Sequence, residues 1–343
     1  MTFQELLSAY DYSFPQELIA KEPATPRDSA RLLIYDRKKD SVEHDTFANI
    51  DRYLPPNAML VFNRTKVIPA KFTLKKVTGG LVSALLLSVQ PETITVLASG
   101  TLKHGDKLIW QGGHAFTVVI RKDQEALLKP SFPIPELRDL LERYGETPLP
   151  PYMKDSPLPE ERRRTEYQTV YAKEEGSVAA PTAGLHFTEE LIKKLEQSGR
   201  GVRYVTLHVH LGTFAPLTEE QWKLKKLHTE HYSIDPETAA DLNDAKAAGR
   251  PIVAVGTTTV RTLESASDGG QIVRPFGSTD LFITEGDPLH FTDHLITNFH
   301  VPRSSLLMLV SAFTGREKLL ELYRQAIAEH MRLFSFGDGI LVL

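Results

Sequence analysis

Between Lys71 and about Pro130 the chain strings together short β-forming runs with no helix among them. They are Val82–Val89, Thr93–Ala98, Lys107–Trp110, Phe116–Ile120 and Ala126–Leu128. Turn clusters at Gly79-Gly80, Gly105-Asp106 and Gly112-Gly113 separate several of them. Strands packed this closely along the chain predict a small barrel or sandwich. The flanking segments read differently. Arg31–Tyr35 and Met59–Phe62 are short apolar runs typical of buried strands. Pro135 is expected to open a helix whose Leu137, Leu140, Leu141 and Tyr144 share one face, ended by the PLPPY run Pro148–Tyr152. The predicted fold class is therefore α/β, a mixed α/β main domain with an inserted small antiparallel β-barrel. Its expected boundaries are residues 1–69 and 148–343 for the discontinuous α/β domain and 70–147 for the barrel.

The C-terminal half alternates strand and helix. Thr188 caps a predicted helix with Glu189 and Glu190 in its first turn, and Gly199 ends it. Asp235-Pro236-Glu237 starts another that stops near Gly249. Ile252–Val255 is a predicted buried strand, followed by Gly256 and a helix over Thr257–Ser265. Leu306–Val310 reads as a core strand, and Arg316–Arg332 as a long amphipathic helix.

Composition limits the chemistry. The 343 residues contain no cysteine, which excludes disulfides, thiolate catalysis, Cys-ligated zinc and Cys-bound iron–sulfur clusters. No apolar run approaches the ~20 residues that span a bilayer. The first residues, MTFQELLSAYDYSF, lack the basic and apolar regions of a signal peptide, so no membrane association and a cytoplasmic location are expected. A monomer is favoured. The net charge of −4 gives no global attraction for nucleic acid, so RNA contact must be local, as at Arg162-Arg163-Arg164 or Lys223, Lys225 and Lys226. Such triplets are more often solvated faces.

Two polar turns flank the helix after Thr188. The first, APTAGLHF, places Thr182, Gly184 and His186 before it. The second follows the alternating strand YVTLHVHLGTF and carries Thr213 and Phe214. Polar side chains at the ends of regular elements are how sites are usually built, although each turn alone is equally consistent with a plain connector. VGTTTVRTLES is strand, glycine and helix, with Thr257, Thr258 and Thr259 at the helix start and Arg261 behind them. Free N–H groups, hydroxyls and a guanidinium there suit an anion or carboxylate, and the bland reading is an ordinary N-cap with a surface arginine. No Walker GK[ST] is present, and the Gly-x-Gly at Gly199-Arg200-Gly201 follows a helix rather than a strand. Eight of the twelve histidines fall between His186 and His300. His208 and His210 share a strand face, which outlines a metal site without being diagnostic of one. The competing assignment for His186, His208, His228 and Glu230 is acid/base catalysis. Asn298, His300 and Asp338 sit beside apolar runs, as substrate contacts or as satisfied buried polar groups.

Read in order, LVFNRTKVIPA, PLPPY, YQTVY, APTAGLHF, TLHV, GTF, LHTE, VGTTTVRTLES, ITNFHVP, LLMLVSAF and FSFGD resemble the S-adenosylmethionine:tRNA ribosyltransferase-isomerase family of the queuosine pathway, from about Phe14 to Leu343. The resemblance implies an α/β domain with an inserted β-barrel. It also implies that tRNA is the partner, that S-adenosylmethionine is a co-substrate, and that there is no metal and no tightly bound cofactor. In that reaction the ribosyl group of S-adenosylmethionine is transferred and isomerised onto 7-aminomethyl-7-deazaguanine in tRNA. Epoxyqueuosine forms, and adenine and methionine leave. Thr182, Thr213, Thr257, Thr258, Thr259 and Arg261 are then expected to bind the co-substrate, with Phe187 or Phe214 against its sulfonium. Several positions depart from the family pattern: Arg64, Leu81, Ser83, His210 in place of a glycine, Lys225, Thr284 and Glu285. They leave a non-catalytic RNA- or nucleoside-binding paralogue as the second reading, and a metal-dependent hydrolase as the third.

Overall fold

A computed structural model describes residues 2–209 and 216–343. Its centre is a nine-stranded sheet. From one edge the strands run Phe276–Leu281, Lys226–Ser233, Gly201–Leu207, Met59–Asn63, Ile252–Val255, His294–Asn298, Gly339–Val342, Arg31–Asp36 and Ser41–Thr46. The four from Gly201–Leu207 to His294–Asn298 are mutually parallel, and Gly339–Val342 then runs antiparallel to His294–Asn298. Met59–Asn63 and Ile252–Val255 are buried along their whole length, as parallel strands covered on both faces must be. This explains why Met59–Phe62 and Ile252–Val255 are unbroken apolar runs rather than alternations.

The β-rich block closes into a six-stranded antiparallel barrel. Around it run Glu125–Pro130, Ile94–Ala98, Leu81–Val89, Lys71–Lys76, Lys107–Ile109 and Ala115–Lys122. Alternation fills the interior: Phe72, Leu74, Val82, Ala84, Ile94, Val96 and Phe116 point inward, while Leu81 and Ser83 face outward and are exposed. The barrel's buried side chains form a cluster of their own with Leu137, Leu140 and Leu141.

Most predicted helices form. Thr188 caps Glu189–Gln197 by accepting from the Leu191 N–H at 3.1 Å, and Asp235 caps Pro236–Ala247 by accepting from the Thr238 N–H at 2.8 Å. Pro135 sits in a 3₁₀ turn, Ile134–Glu136, that leads into Leu137–Tyr144. The amphipathic C-terminal helix stops at Ala328 rather than Arg332, and His330 takes a left-handed φ of 54°. One assignment is reversed. Leu306–Val310 is not a strand but lies in the helix Ser305–Thr314, capped by Ser304. Its residues Leu307 to Val310 are at most 2% exposed, and a helix apolar on all sides has no periodicity to distinguish it from a buried strand.

At Gly339, in register with Asn298, a Cβ atom would stand 2.7 Å from the Phe47 ring and 3.0 Å from the Thr297 carbonyl oxygen. Gly339→Ala is therefore expected to lose about 1–3 kcal/mol of stability through overpacking. Urea unfolding measures this, and an unchanged midpoint would show that the sheet yields at this point without cost.

Candidate active site

Ligands of open α/β sheets gather outside the carboxyl ends of the parallel strands. Here those ends are Leu207, Asn63, Val255 and Asn298, side by side. Next to them lie the turn Thr182–His186, the helix start at Gly256 and the loop carrying His300. Gly256 has φ 93° and carries no side-chain cap, so the strand turns directly into helix Thr257–Ala266. A cleft of about 30 Å³ lined by Pro181, Thr182, Gly256, Thr257, Thr258 and His300 opens there. That space holds a water or two, or a small end group such as a carboxylate.

His186 and Asn298 are joined at the cleft's edge. The Asn298 Nδ2 lies 3.0 Å from His186 Nε2 and donates to the Phe334 carbonyl at 3.3 Å, while its Oδ1 accepts from the Thr182 hydroxyl at 2.8 Å. The His186 ring stacks on Phe47 with centroids 4.2 Å apart. Burial, and then the positive charges of Arg332 and Arg27, pull its pKa down to about 3, so the ring is neutral at pH 7. His300 is likewise held at about 3 by burial, with Nε2 at 2.9 Å from the Thr297 hydroxyl and its backbone N–H donating to Tyr323 Oη at 2.8 Å.

His208 stands on the far side of the strand ends. The Thr65 hydroxyl lies 2.9 Å from its Nδ1, and the ring packs on Gly176, where a Cβ would come within 3.1 Å of it. Gly176 also has φ 141°, so two constraints exclude larger residues there. Asn63, Thr65 and Gly176 were not singled out from the sequence. The available signal was a buried polar residue closing an apolar strand.

The other expected site residues are placed differently. Arg261 is no free cation. It pairs with the Glu230 carboxylate, and both side chains are at most 5% exposed. Its Nε also donates to the Leu281 carbonyl at 3.2 Å. The pair fastens the helix Thr257–Ala266 to the two antiparallel edge strands, and the expected carboxylate contact of Arg261 is already filled within the protein. His228 is exposed on the strand Lys226–Ser233. Phe187 is fully buried, edge-on to Phe62 at 4.9 Å, so its ring packs in the core rather than facing a ligand. Asp338 accepts from the backbone N–H groups of Arg31 at 3.0 Å and Arg332 at 2.7 Å, a clamp between chain segments. Thr259 donates its hydroxyl to the Val255 carbonyl at 2.8 Å. Thr213, Phe214 and His210 lie outside the described residues. Among the described residues no three His, Cys, Asp or Glu side chains gather as metal ligands. No helix among them is long and apolar enough to cross a membrane.

The neutral histidines have a thermodynamic consequence. Unfolded, His186 and His300 take up protons below about pH 6.5, whereas folded they resist protonation down to about pH 3. Their contribution is therefore complete above pH 6.5 and is lost as the pH falls, by about 1.4 kcal/mol per pH unit for each ring. His186→Gln should flatten the decline of urea-unfolding free energy between about pH 6.5 and 4.5. A curve parallel to that of wild type would show that the buried ring protonates freely.

A family model described as queuosine biosynthesis protein matches residues 7–342. A protein of Carboxydothermus hydrogenoformans named S-adenosylmethionine:tRNA ribosyltransferase-isomerase is 45% identical over 98% of this chain and 99% of its own length. One of the same name from Thermotoga petrophila is 46% identical over the same shares. The crystal structure of S-adenosylmethionine tRNA ribosyltransferase from Thermotoga maritima aligns over 98% of this chain and 100% of that one, at 33% identity and a TM-score of 0.55. With matches spanning both the barrel and the sheet, the chain belongs to the queuosine biosynthesis protein family.

Proposed function

We propose that this protein is an S-adenosylmethionine:tRNA ribosyltransferase-isomerase. It moves and isomerises the ribosyl group of S-adenosylmethionine onto 7-aminomethyl-7-deazaguanine in tRNA, forming epoxyqueuosine and releasing adenine and methionine. The observation that carries this reading is 45% identity, over almost the whole of both chains, to a protein bearing that name. The polar cluster at the carboxyl ends of the parallel strands supports it, because the residue types match what the reaction needs.

Three tasks must be met: removing a proton made acidic by the neighbouring sulfonium, protonating the departing adenine, and keeping water from reactive intermediates. His208 is our candidate for proton transfer, oriented through Nδ1 by Thr65 and through its ring face by Gly176. His186, neutral and tied to Asn298, serves as a hydrogen-bonding partner to substrate rather than as a source of charge. Thr257 and Thr258, with Thr182 and His300 across the cleft, form the subsite for the methionine carboxylate. Asn298 orients that wall. Thr213 and Phe214 remain candidates for the co-substrate, and His228 for contact nearer solvent. Glu230 and Arg261 act together as the strut that sets the helix start, and Asp338 holds the loop behind Asn298.

The test is direct. Purified protein incubated with S-adenosylmethionine and tRNA bearing the modified base is expected to release adenine. His208→Ala should slow that release by roughly 10²-fold or more. Wild-type protein that releases no adenine would refute the enzymatic reading, and an undiminished His208→Ala rate would remove this residue from proton transfer.

A further inference from the structure

We propose that Asn63 is a positioning residue of this site, and that through it Thr258 is the threonine that presents a hydroxyl hydrogen to the co-substrate. The inference rests on the S-adenosylmethionine reading above and deepens it. Asn63 closes the strand Met59–Asn63 and is fully buried. Its Oδ1 accepts from the Thr65 N–H at 3.1 Å and from the Leu207 N–H at 3.1 Å. Its Nδ2 donates to the Leu207 carbonyl at 3.0 Å and to Thr258 Oγ1 at 3.2 Å. A carboxamide has two N–H groups and two acceptor positions, so every one is committed. The side chain continues the ladder where the backbone pairing with Gly201–Leu207 ends at Val205, and so fixes the chain that delivers His208.

The same bonds set the direction of the Thr258 hydroxyl. Nδ2 has no lone pair, so Thr258 Oγ1 must be the acceptor, and its own hydrogen is left to donate elsewhere. Among the described residues no acceptor takes that hydrogen. Of the other hydroxyls on this helix start, Thr259 donates to the Val255 carbonyl at 2.8 Å and Thr262 to the Thr258 carbonyl at 2.9 Å, while Thr257 lines the same cleft but is not oriented by a buried amide as Thr258 is. Across the cleft, Thr182 donates to Asn298 Oδ1 at 2.8 Å. Thr258 itself lines the cleft, whose volume of about 30 Å³ admits a carboxylate but not a nucleoside. A buried donor of fixed direction beside a space of that size selects a small acceptor group, and the methionine carboxylate is the compact, charged acceptor at one end of S-adenosylmethionine.

Calorimetric titration with S-adenosylmethionine, together with adenine-release kinetics, tests this on the full chain. Thr258→Val keeps the shape and removes the hydroxyl, and should weaken binding by about tenfold or more, as loss of a hydrogen bond to a charged group does. KM should rise more than kcat falls. Thr258→Ser should restore affinity to within about threefold of wild type. Thr262→Val, one turn further along the same helix, should bind within about threefold of wild type. Asn63→Asp is isosteric but turns the Nδ2 donor into an acceptor, which draws the Thr258 hydrogen inward. It should bind as weakly as Thr258→Val, and the double variant should bind no more weakly than Thr258→Val alone. Should Asn63→Asp not fold, the contrast between Thr258→Val and Thr258→Ser still decides. Wild-type affinity in Thr258→Val, or a full additive loss in the double variant, overturns the proposal. Wild-type protein that does not bind S-adenosylmethionine overturns the functional reading and this inference with it, whereas equal affinity in wild type and Thr258→Val overturns this inference alone.

Discussion

The backbone at the carboxyl ends of the parallel strands is the constraint on which the site depends. Four such strands finish beside one another, the central two buried along their whole length, where a backbone N–H or carbonyl without a partner costs about as much as a lost hydrogen bond. Side chains take over where the ladder stops. Asn63 holds both backbone groups of Leu207. Ser177 donates to the Ala179 carbonyl at 2.7 Å and accepts from the Val209 N–H at 2.9 Å. Asn298 reaches back to the Phe334 carbonyl. The residues that satisfy this edge are polar and rigidly held, which makes the same edge suited to holding a ligand.

Much of this was legible in the sequence. The barrel was readable because its strands alternate and are separated by glycine turns, two signals that agree. The strands Met59–Asn63 and Ile252–Val255 were readable as runs too short for helices. Leu306–Val310 failed for the corresponding reason: a run of consecutive apolar residues shows no period, and the Ser304 cap was the hint against a strand.

The site was legible as a set of segments but not as a set of contacts. Arg261 looks like a ligand clamp in sequence because its partner, Glu230, is thirty-one positions away on a different element. Asp338 looks like a substrate contact until the N–H groups of Arg31 and Arg332 are seen to use it. Phe187 follows the polar turn directly, yet the turn's end points its ring into the core against Phe62. In each case the residue type was informative about polarity or size, while the partner was set by tertiary packing that no local pattern encodes. Asn63 was missed from the other side, since a single asparagine after an apolar run carries no local signature until the neighbouring strand end is in place.

The electrostatics of the cluster then follow from burial. Two histidines near the strand ends are held neutral, and the buried arginine spends its charge on a buried carboxylate, so little net charge faces the cleft from these groups. For a co-substrate that carries a sulfonium, imidazolium rings at the same positions would oppose binding, and a bare guanidinium would do so more strongly inside a low-dielectric wall. Under the proposed function, a neutral wall leaves recognition of the carboxylate to hydroxyl and backbone donors, which carry direction without net charge. Burial that would be a penalty for an ordinary surface histidine thus becomes a means of keeping the site compatible with a cation.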